Sequence, residues 1–451
     1  MFQHPYLPAT PEDVALMLEK IGAASVEELF KPIPGHLRLK GAMDLPPHLS
    51  EMELKDLFQG LADRNKSVGR LESYLGAGAY EHFSPTVVRH LIGRSEFYTA
   101  YTPYQPEMTQ GVLQAIFEYQ SCVCALTGMD VSNASLYEGG HALAEACLMA
   151  RAHTGRNKVV LAAGVHPEYA AVLATYTHNL ETEIVQAPLA ADGRTDLAAL
   201  EKLVDDQTAA VVVSNPNFFG CLEEGGAFAR IAHGAGALLV ASVEPVSLAL
   251  LKSPGEFGAD IACGEGQSLG ISLSFGGPWL GFIACKQALV RRMPGRICGL
   301  TKDNRGQQGF VLTLQTREQH IRREKANSNI CTNQTLLAIA ATIYLGAVGP
   351  QGLKEVASQS LQKAHYLAGL LKKVPGVGLP YAAASLNEFV VRLPRAASRV
   401  LEAMQAKGIL AGVALDRFYS GRENDLLVCV TETKKKAQLD RYAAALTEVL
   451  A

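Results

Sequence analysis

The stretch GADIACGEGQSLGISLSFGGPWLGF, residues 258–282, decides the fold. A short apolar run ends in a glycine-rich loop, the pattern of a buried strand that delivers polar side chains to the edge of an α/β sheet. The loop offers Glu265, Gln267 and Ser268, with no lysine, cysteine or histidine after Cys263. The same rhythm runs upstream. GGHALAEACLMARAHTG reads as a helix, KVVLAA as a strand, HPEYAAVLATYTHN as a helix and AAVVVSNPNFFG as a strand leaving into a turn. GAFARIAHGAG, ALLVASVEPVSLALL and ADIACGEGQ continue the alternation, which predicts a mostly parallel, doubly wound sheet.

The loops SNPNFFG (214–220), SVEPVS (242–247) and GEGQSLG (264–270) each follow a β-rich run and should meet beyond one edge of that sheet. Asn215, Glu244 and Gln267 are their candidate pocket residues. In YEGGHALAEA, Glu138, Gly139 and Gly140 precede a helix whose first amides could hold a phosphate. A glycine pair at a helix start serves close packing or capping equally well.

Outward from this body the pattern changes. Residues 1–85 form a mostly helical arm, in which TPEDVALMLEKIGA offers Thr10 as N-cap and Pro11 at the first helical position. Residues 86–325 form the large α/β domain. From 326 to 451, two long helical runs precede EFVVRLP, ILAGVAL, DLLVCVTE and a closing helix, a smaller α+β domain whose boundary lies near REKANSNICTNQ.

A chain of 451 residues, 48% hydrophobic, can bury a large core. Its 41 basic and 44 acidic side chains give a formal charge of -3, which argues against nucleic acid or an acidic membrane surface as the main partner. The start of the chain shows no signal-peptide pattern and no apolar run reaches the roughly 18 residues of a membrane helix, so a cytoplasmic protein is expected. Nine cysteines without paired CxxC spacing and twelve histidines without an HExxH register predict no metal site.

Four stretches carry a resemblance to one family. They are SEFYTAYTPYQPEMTQGVLQAIFEYQSCVCALTGMDVSNASLYEGGHALAEA (95–146), GEGQSLGISLSFGGPWLGF (264–282), MPGRICG (293–299) and LQTREQHIRREKANSNICTNQ (314–334). The order of elements resembles the fold type I pyridoxal-phosphate-dependent transferases, and these stretches resemble the glycine decarboxylase P-protein of the glycine cleavage system. That family occurs as one chain of two homologous halves or as two subunits, and this chain is similar to the N-terminal half, subunit 1.

The resemblance implies the function of a glycine dehydrogenase (aminomethyl-transferring). Pyridoxal phosphate binds glycine, carbon dioxide leaves, and the aminomethyl group passes to the lipoyl arm of the H-protein; T- and L-proteins complete the system. Such an enzyme needs a lysine to hold the cofactor as a Schiff base. Gln267 stands at that position, so no covalent cofactor and no catalytic residue are expected in this chain alone. Lys252 and Lys286, the nearby substitutes, read as surface residues. Glu244 occupies the place where catalytic members use aspartate. The implied arrangement is a degenerate protomer beside a sister subunit that carries the lysine and the cofactor, duplicated as α2β2. The shared-site or interface candidates are Tyr98, Tyr101, Thr102, Tyr104, Gln105 and Glu107. The basic cluster Arg291, Arg292, Arg296, Arg317, Arg322, Arg323 and Lys325 serves either inter-subunit ion pairs or the steering of an acidic H-protein. Two rival readings are a non-catalytic scaffold or regulatory partner of a pyridoxal-phosphate enzyme, and an independent enzyme using another lysine.

Overall fold

A computed structural model describes residues 6–451, which divide into two compact units, one ending at Lys66 and one spanning Ser67–Ala451. The first holds helices α1 (Pro11–Ile21) and α2 (Glu51–Ala62). Thr10 caps α1 as its sequence requires: its hydroxyl accepts from the Asp13 amide at 3.2 Å, and the Asp13 carboxylate accepts from the Thr10 amide at 2.8 Å. Ser50 and Glu53 repeat that reciprocal cap on α2. No residue of either helix is buried, and Leu16, Ile21, Leu54 and Phe58 all face out.

The second unit opens with β1 (Glu72–Ser73), α3 (Thr86–Ile92), α4 (Ser95–Tyr98) and α5 (Gln110–Thr127). The alternating section follows: β2 (Val131–Ser132), α6 (Gly139–Thr154), β3 (Lys158–Leu161), α7 (Pro167–Thr177), β4 (Glu183–Gln186), α8 (Leu197–Leu203), β5 (Thr208–Asn215), α9 (Gly225–Gly234), β6 (Leu238–Val243), β7 (Ile261–Glu265) and β8 (Gly281–Cys285). These strands make one seven-stranded sheet in the order β2-β8-β7-β6-β5-β3-β4. The pairs from β7 to β4 are parallel, and only β8 runs against both neighbours. All residues of β5, β7 and β8 are buried, as strands covered by helices on both faces must be. Because β5, β6 and β7 are parallel neighbours, the turns after Asn215, Val243 and Glu265 emerge at the same edge.

A hairpin of β9 (Ile297–Lys302) and β10 (Gln308–Thr313), then α10 (Gln319–Arg322), lead to α11 (Thr335–Leu371). The chain closes with β11 (Glu388–Arg392), α12 (Ala397–Ala406), β12 (Ile409–Leu410), β13 (Val413–Ala414), β14 (Asp425–Cys429) and α13 (Lys436–Leu450). Here β11, β14 and β13 form a small antiparallel sheet, while β12 pairs in parallel with β1. This small lobe has its own core, built on Tyr74, Leu367, Val391, Leu426 and Tyr442.

By length and composition α11 is apolar enough to cross a membrane, with a mean hydropathy of 1.5 over its best window, contrary to the expectation that no such run exists. In the structure it packs along one face, with 33% of that window buried. It breaks at Gly349 (φ 61°, ψ 179°), Pro350 opens its second half, and Lys354, Glu355 and Lys363 follow. Ala338–Tyr344 belong to the core under the large sheet, and Ala364–Leu371 to the core of the small lobe.

The two lobes touch through a turn that only glycine can close. Gly220 has φ 82°, and a Cβ there would lie 2.1 Å from the Glu388 carbonyl oxygen on β11. Gly220→Ala is therefore expected to lower stability by more than about 2 kcal/mol, combining left-handed strain with a backbone clash. Urea unfolding followed by circular dichroism measures this; an unchanged midpoint would show that the turn relaxes freely.

Candidate functional site

At the sheet edge the three strand-end loops meet residues 72–84 and β11 around a cleft of about 60 Å³. Its walls include Tyr80, His166, Tyr169, Glu244, Glu265 and Glu388. That volume suits a few water molecules.

Gln267 is almost wholly buried. A buried amide must use both ends, and this one does. Its Oε1 accepts from the Tyr80 amide at 2.8 Å, and its Nε2 donates to the Tyr80 carbonyl at 3.0 Å and the Ile271 carbonyl at 2.7 Å. Glu265, two residues earlier, accepts three backbone amides: Gln267 at 2.9 Å, Leu280 at 2.8 Å and Gly139 at 2.9 Å. Glu244 receives the amides of Val246 (3.0 Å) and Ser247 (2.7 Å) and the hydroxyl of Ser268 (2.5 Å), so it acts as a turn cap.

Helix α6 begins at this edge, and Glu138 is its cap. Its two oxygens accept from Gly140 and His141, each at 2.6 Å. The glycine pair is needed for packing: a Cβ on Gly139 would lie 2.4 Å from the Tyr169 hydroxyl. Tyr169 lies flat against His166, ring centroids 4.4 Å apart and 15° from parallel. The His166 Nε2 donates to the Ala77 carbonyl at 2.9 Å while its Nδ1 accepts from the Glu168 amide at 3.1 Å, which fixes the neutral ring; burial lowers its pKa in agreement.

On the opposite wall Glu388 accepts from the Ala77 amide at 2.8 Å and the Tyr80 hydroxyl at 2.7 Å. Burial pushes the carboxyls of both Glu265 and Glu388 up to about 7, against the hydrogen bonds that favour their ionised forms. Burial likewise raises the Tyr80 phenol well above its usual range, with the neighbouring Glu388 adding to it.

The structure thus brings Glu138, Gly139, Gly140, Glu244 and Gln267 to one edge. Asn215 turns away: its side chain accepts from the Glu223 amide at 3.1 Å and borders a separate surface hollow beside Arg194 and Lys252. Lys286 sits at the opposite end of the sheet, because β8 is antiparallel, and binds Asp260 at 2.7 Å. Tyr80, His166, Tyr169 and Glu388 were not among the residues expected at the site. Their signals are slight: a tyrosine among glycines in GAGAYEHF, a helix start in HPEY and a glutamate opening the apolar strand EFVVRLP.

The tyrosine-rich loop lies elsewhere on the surface. Tyr98 and Tyr101 are 58% and 76% exposed, and Gln105 and Glu107 also face solvent, while Thr102 is half-buried. Tyr104 anchors the loop: its hydroxyl accepts from Arg296 at 2.8 Å and its ring packs edge-on against His320. The basic cluster divides. Arg296 and Arg317 are buried; Arg317 donates to the Leu314 and Gly295 carbonyls, and Arg296 also donates to the Cys331 carbonyl. Arg291, Arg292, Arg322, Arg323 and Lys325 remain exposed.

A carboxyl whose folded pKa is raised stabilises the fold below its unfolded value near 4.5, and that contribution is lost as pH climbs through about 7. Glu388→Gln, neutral throughout, is expected to reduce the drop in unfolding free energy between pH 5 and pH 8 by up to about 3 kcal/mol. Urea unfolding of both proteins at the two pH values measures the difference; parallel pH profiles would show that Glu388 titrates normally.

The Glycine cleavage system P-protein family model matches residues 4–446. A probable glycine dehydrogenase (decarboxylating) subunit 1 from Carboxydothermus hydrogenoformans is 51% identical over 98% of this chain and 99% of its own, and one from Chlorobium luteolum is 51% identical over 99% and 100%. A crystal structure of glycine decarboxylase (P-protein) of the glycine cleavage system in inhibitor-bound form superposes with a TM-score of 0.90 at 46% identity, covering 99% of this chain and 100% of that one. A sphingosine-1-phosphate lyase from Burkholderia pseudomallei, 15% identical with a TM-score of 0.66 over 92% of this chain and 94% of its own, shares the fold. The fold is that of the fold type I pyridoxal-phosphate-dependent enzymes, and the chain belongs to the glycine cleavage system P-protein family.

Proposed function

We propose that this chain is subunit 1 of a two-subunit glycine decarboxylase, paired with a homologous sister that carries the reactive lysine and pyridoxal phosphate. The reaction is decarboxylation of glycine with transfer of the aminomethyl group to the lipoyl arm of the H-protein. Family membership and the relatives named subunit 1 support the activity. The division of labour rests on Gln267, a non-nucleophilic amide bonded at both ends to backbone where the fold calls for a lysine. Pyridoxal phosphate in the sister supplies the electron sink for the bond-breaking step.

The residues of this chain do not fit that cofactor. Among the described residues no lysine lines the cleft, three glutamates do, and its space is several times too small for a ring with a phosphate. What the chain offers its sister is a surface. Tyr98 and Tyr101 stand out from a loop fixed by the Tyr104–Arg296 contact, an aromatic edge with hydroxyl tips suited to walling a shared site. The exposed members of the basic cluster suit an acidic partner such as the H-protein. An αβ pair duplicated as α2β2 follows the family pattern. The scaffold reading is kept as the second one, favoured by the same Gln267.

Exchange of the glycine carboxyl group with labelled bicarbonate, in the presence of H-protein, tests the assignment. The expected result is activity only when this chain and its sister are mixed; activity of this chain alone overturns the division of labour, and no gain on mixing favours the scaffold. Tyr101→Ala is expected to weaken association with the sister about tenfold or more, as loss of an aromatic anchor does. Titration calorimetry measures this, and an unchanged Kd together with unchanged exchange would remove the loop from the shared surface.

A further inference from the structure

In this chain the sheet edge has Gln267 where a lysine is called for, and the residues around it form a pattern. Three amides at or next to the start of α6, the donors a phosphate would need, are already taken by carboxylates: Gly139 by Glu265, and Gly140 and His141 by Glu138. A phosphate arriving there would find no free donor among these three and two glutamates beside it. The space above Gly139 is filled by the Tyr169 phenol, stacked on His166. Each part of a ring-and-phosphate ligand therefore meets a side chain of the protein itself.

Three of the side chains at this edge, Gln267, His166 and Glu388, are turned toward another object, the segment 76–84. On the side of the large sheet, Gln267 holds the backbone of Tyr80 through two hydrogen bonds, His166 holds the Ala77 carbonyl, and the Ser84 hydroxyl donates to the Gly270 carbonyl at 2.9 Å. On the side of the small lobe, Glu388 holds the Ala77 amide and the Tyr80 hydroxyl, and the Thr431 hydroxyl donates to the Glu81 carbonyl at 2.6 Å. Glu432 takes the Phe83 amide at 2.7 Å and His82 at 2.6 Å. Burial works against charge on His82, yet the hydrogen bond and charge of Glu432 outweigh it and raise the imidazole pKa above its ordinary value.

We infer that the cofactor pocket of this chain has been rebuilt as an internal tether, in which Glu138, Glu265 and Tyr169 fill the ligand's place and Gln267 clamps the 76–84 segment between the two lobes. Gln267 is a positioning residue, and its lysine counterpart could not replace it. An ammonium could donate to the Tyr80 and Ile271 carbonyls but could not accept from the Tyr80 amide. The inference deepens the reading of this chain as the cofactor-free subunit and rests on it, but its tests use this chain alone, so failure of the exchange assay leaves them standing and their failure leaves the exchange assay interpretable.

The wild-type chain is titrated with pyridoxal phosphate and, separately, with inorganic phosphate by equilibrium dialysis. The tether requires no saturable binding that the two share; a shared site overturns it. Gln267→Lys is incubated with pyridoxal phosphate, reduced with borohydride and mapped by peptide mass, and the expected map shows no pyridoxyl group on residue 267, whereas a labelled residue 267 overturns the inference. Gln267→Met keeps the volume and removes all three side-chain hydrogen bonds, and hydrogen exchange at the Tyr80 amide is expected to speed up about tenfold or more. An unchanged Tyr80 rate overturns the clamp. Should either variant fail to fold, the wild-type dialysis decides the pocket, and the wild-type exchange rate of Tyr80, expected among the slow core amides, decides the clamp.

Discussion

Burial of polar groups at the ends of parallel strands sets the terms for the whole structure. The central sheet is covered on both faces, so the side chains that leave its edge enter a space with little water, where each carboxylate or amide must find partners inside the protein. Glu265, Glu244, Gln267 and Glu388 find them in backbone amides, backbone carbonyls and hydroxyls. Some of those partners are local, such as Val246 for Glu244, but Gly139 for Glu265, Tyr80 for Gln267 and Ala77 for Glu388 lie 126 to 311 residues away, and satisfying them fixes where residues 76–84, the start of α6 and the edge of β11 must run. The same requirement that would hold a ligand here holds the protein together.

Two carboxyls with pKa values near 7 in one small cleft mark a site under electrostatic load. On the reading of this chain as the cofactor-free subunit, the load is structural. Glu265 sits among three amide donors that favour its charge, yet desolvation prevails, and Glu388 faces a phenol whose own ionisation burial suppresses. Perturbed acidity is a common sign of catalysis; here it sits beside a glutamine that can perform none.

Much of the architecture was legible in the sequence because it is written in local patterns. The strand and helix runs from 139 to 265 show their period directly, and the loops at 214–220, 242–247 and 264–270 emerge together because parallel neighbours must end on one side. Gln267 drew notice in the sequence because an amide cannot form the Schiff base that such a loop would otherwise offer, and the structure shows it buried and bonded at both ends. The rest of the site was hidden by distance along the chain. Nothing in YEGGH says that a glutamate 126 residues later takes the Gly139 amide, and nothing in SNPNFF says that Asn215 turns to Glu223. Tyr80 and Glu388, 308 residues apart, meet only once both lobes are folded. The apolar length of α11 was missed for a different reason: its glycines and Pro350 punctuate the sequence, while the backbone carries the helix across them with one break.

That break has a consequence for the chain as a unit of inheritance. The first half of α11 is built into the core beneath the large sheet; past the break at Gly349 the helix adds Leu353 and Ala357 to that same core before Ala364, Leu367 and Leu371 enter the core of the small lobe. A helix shared in this way leaves no seam at which the small lobe could be excised, exchanged or grafted onto another body. The two lobes are bound to evolve, and to melt, as one piece.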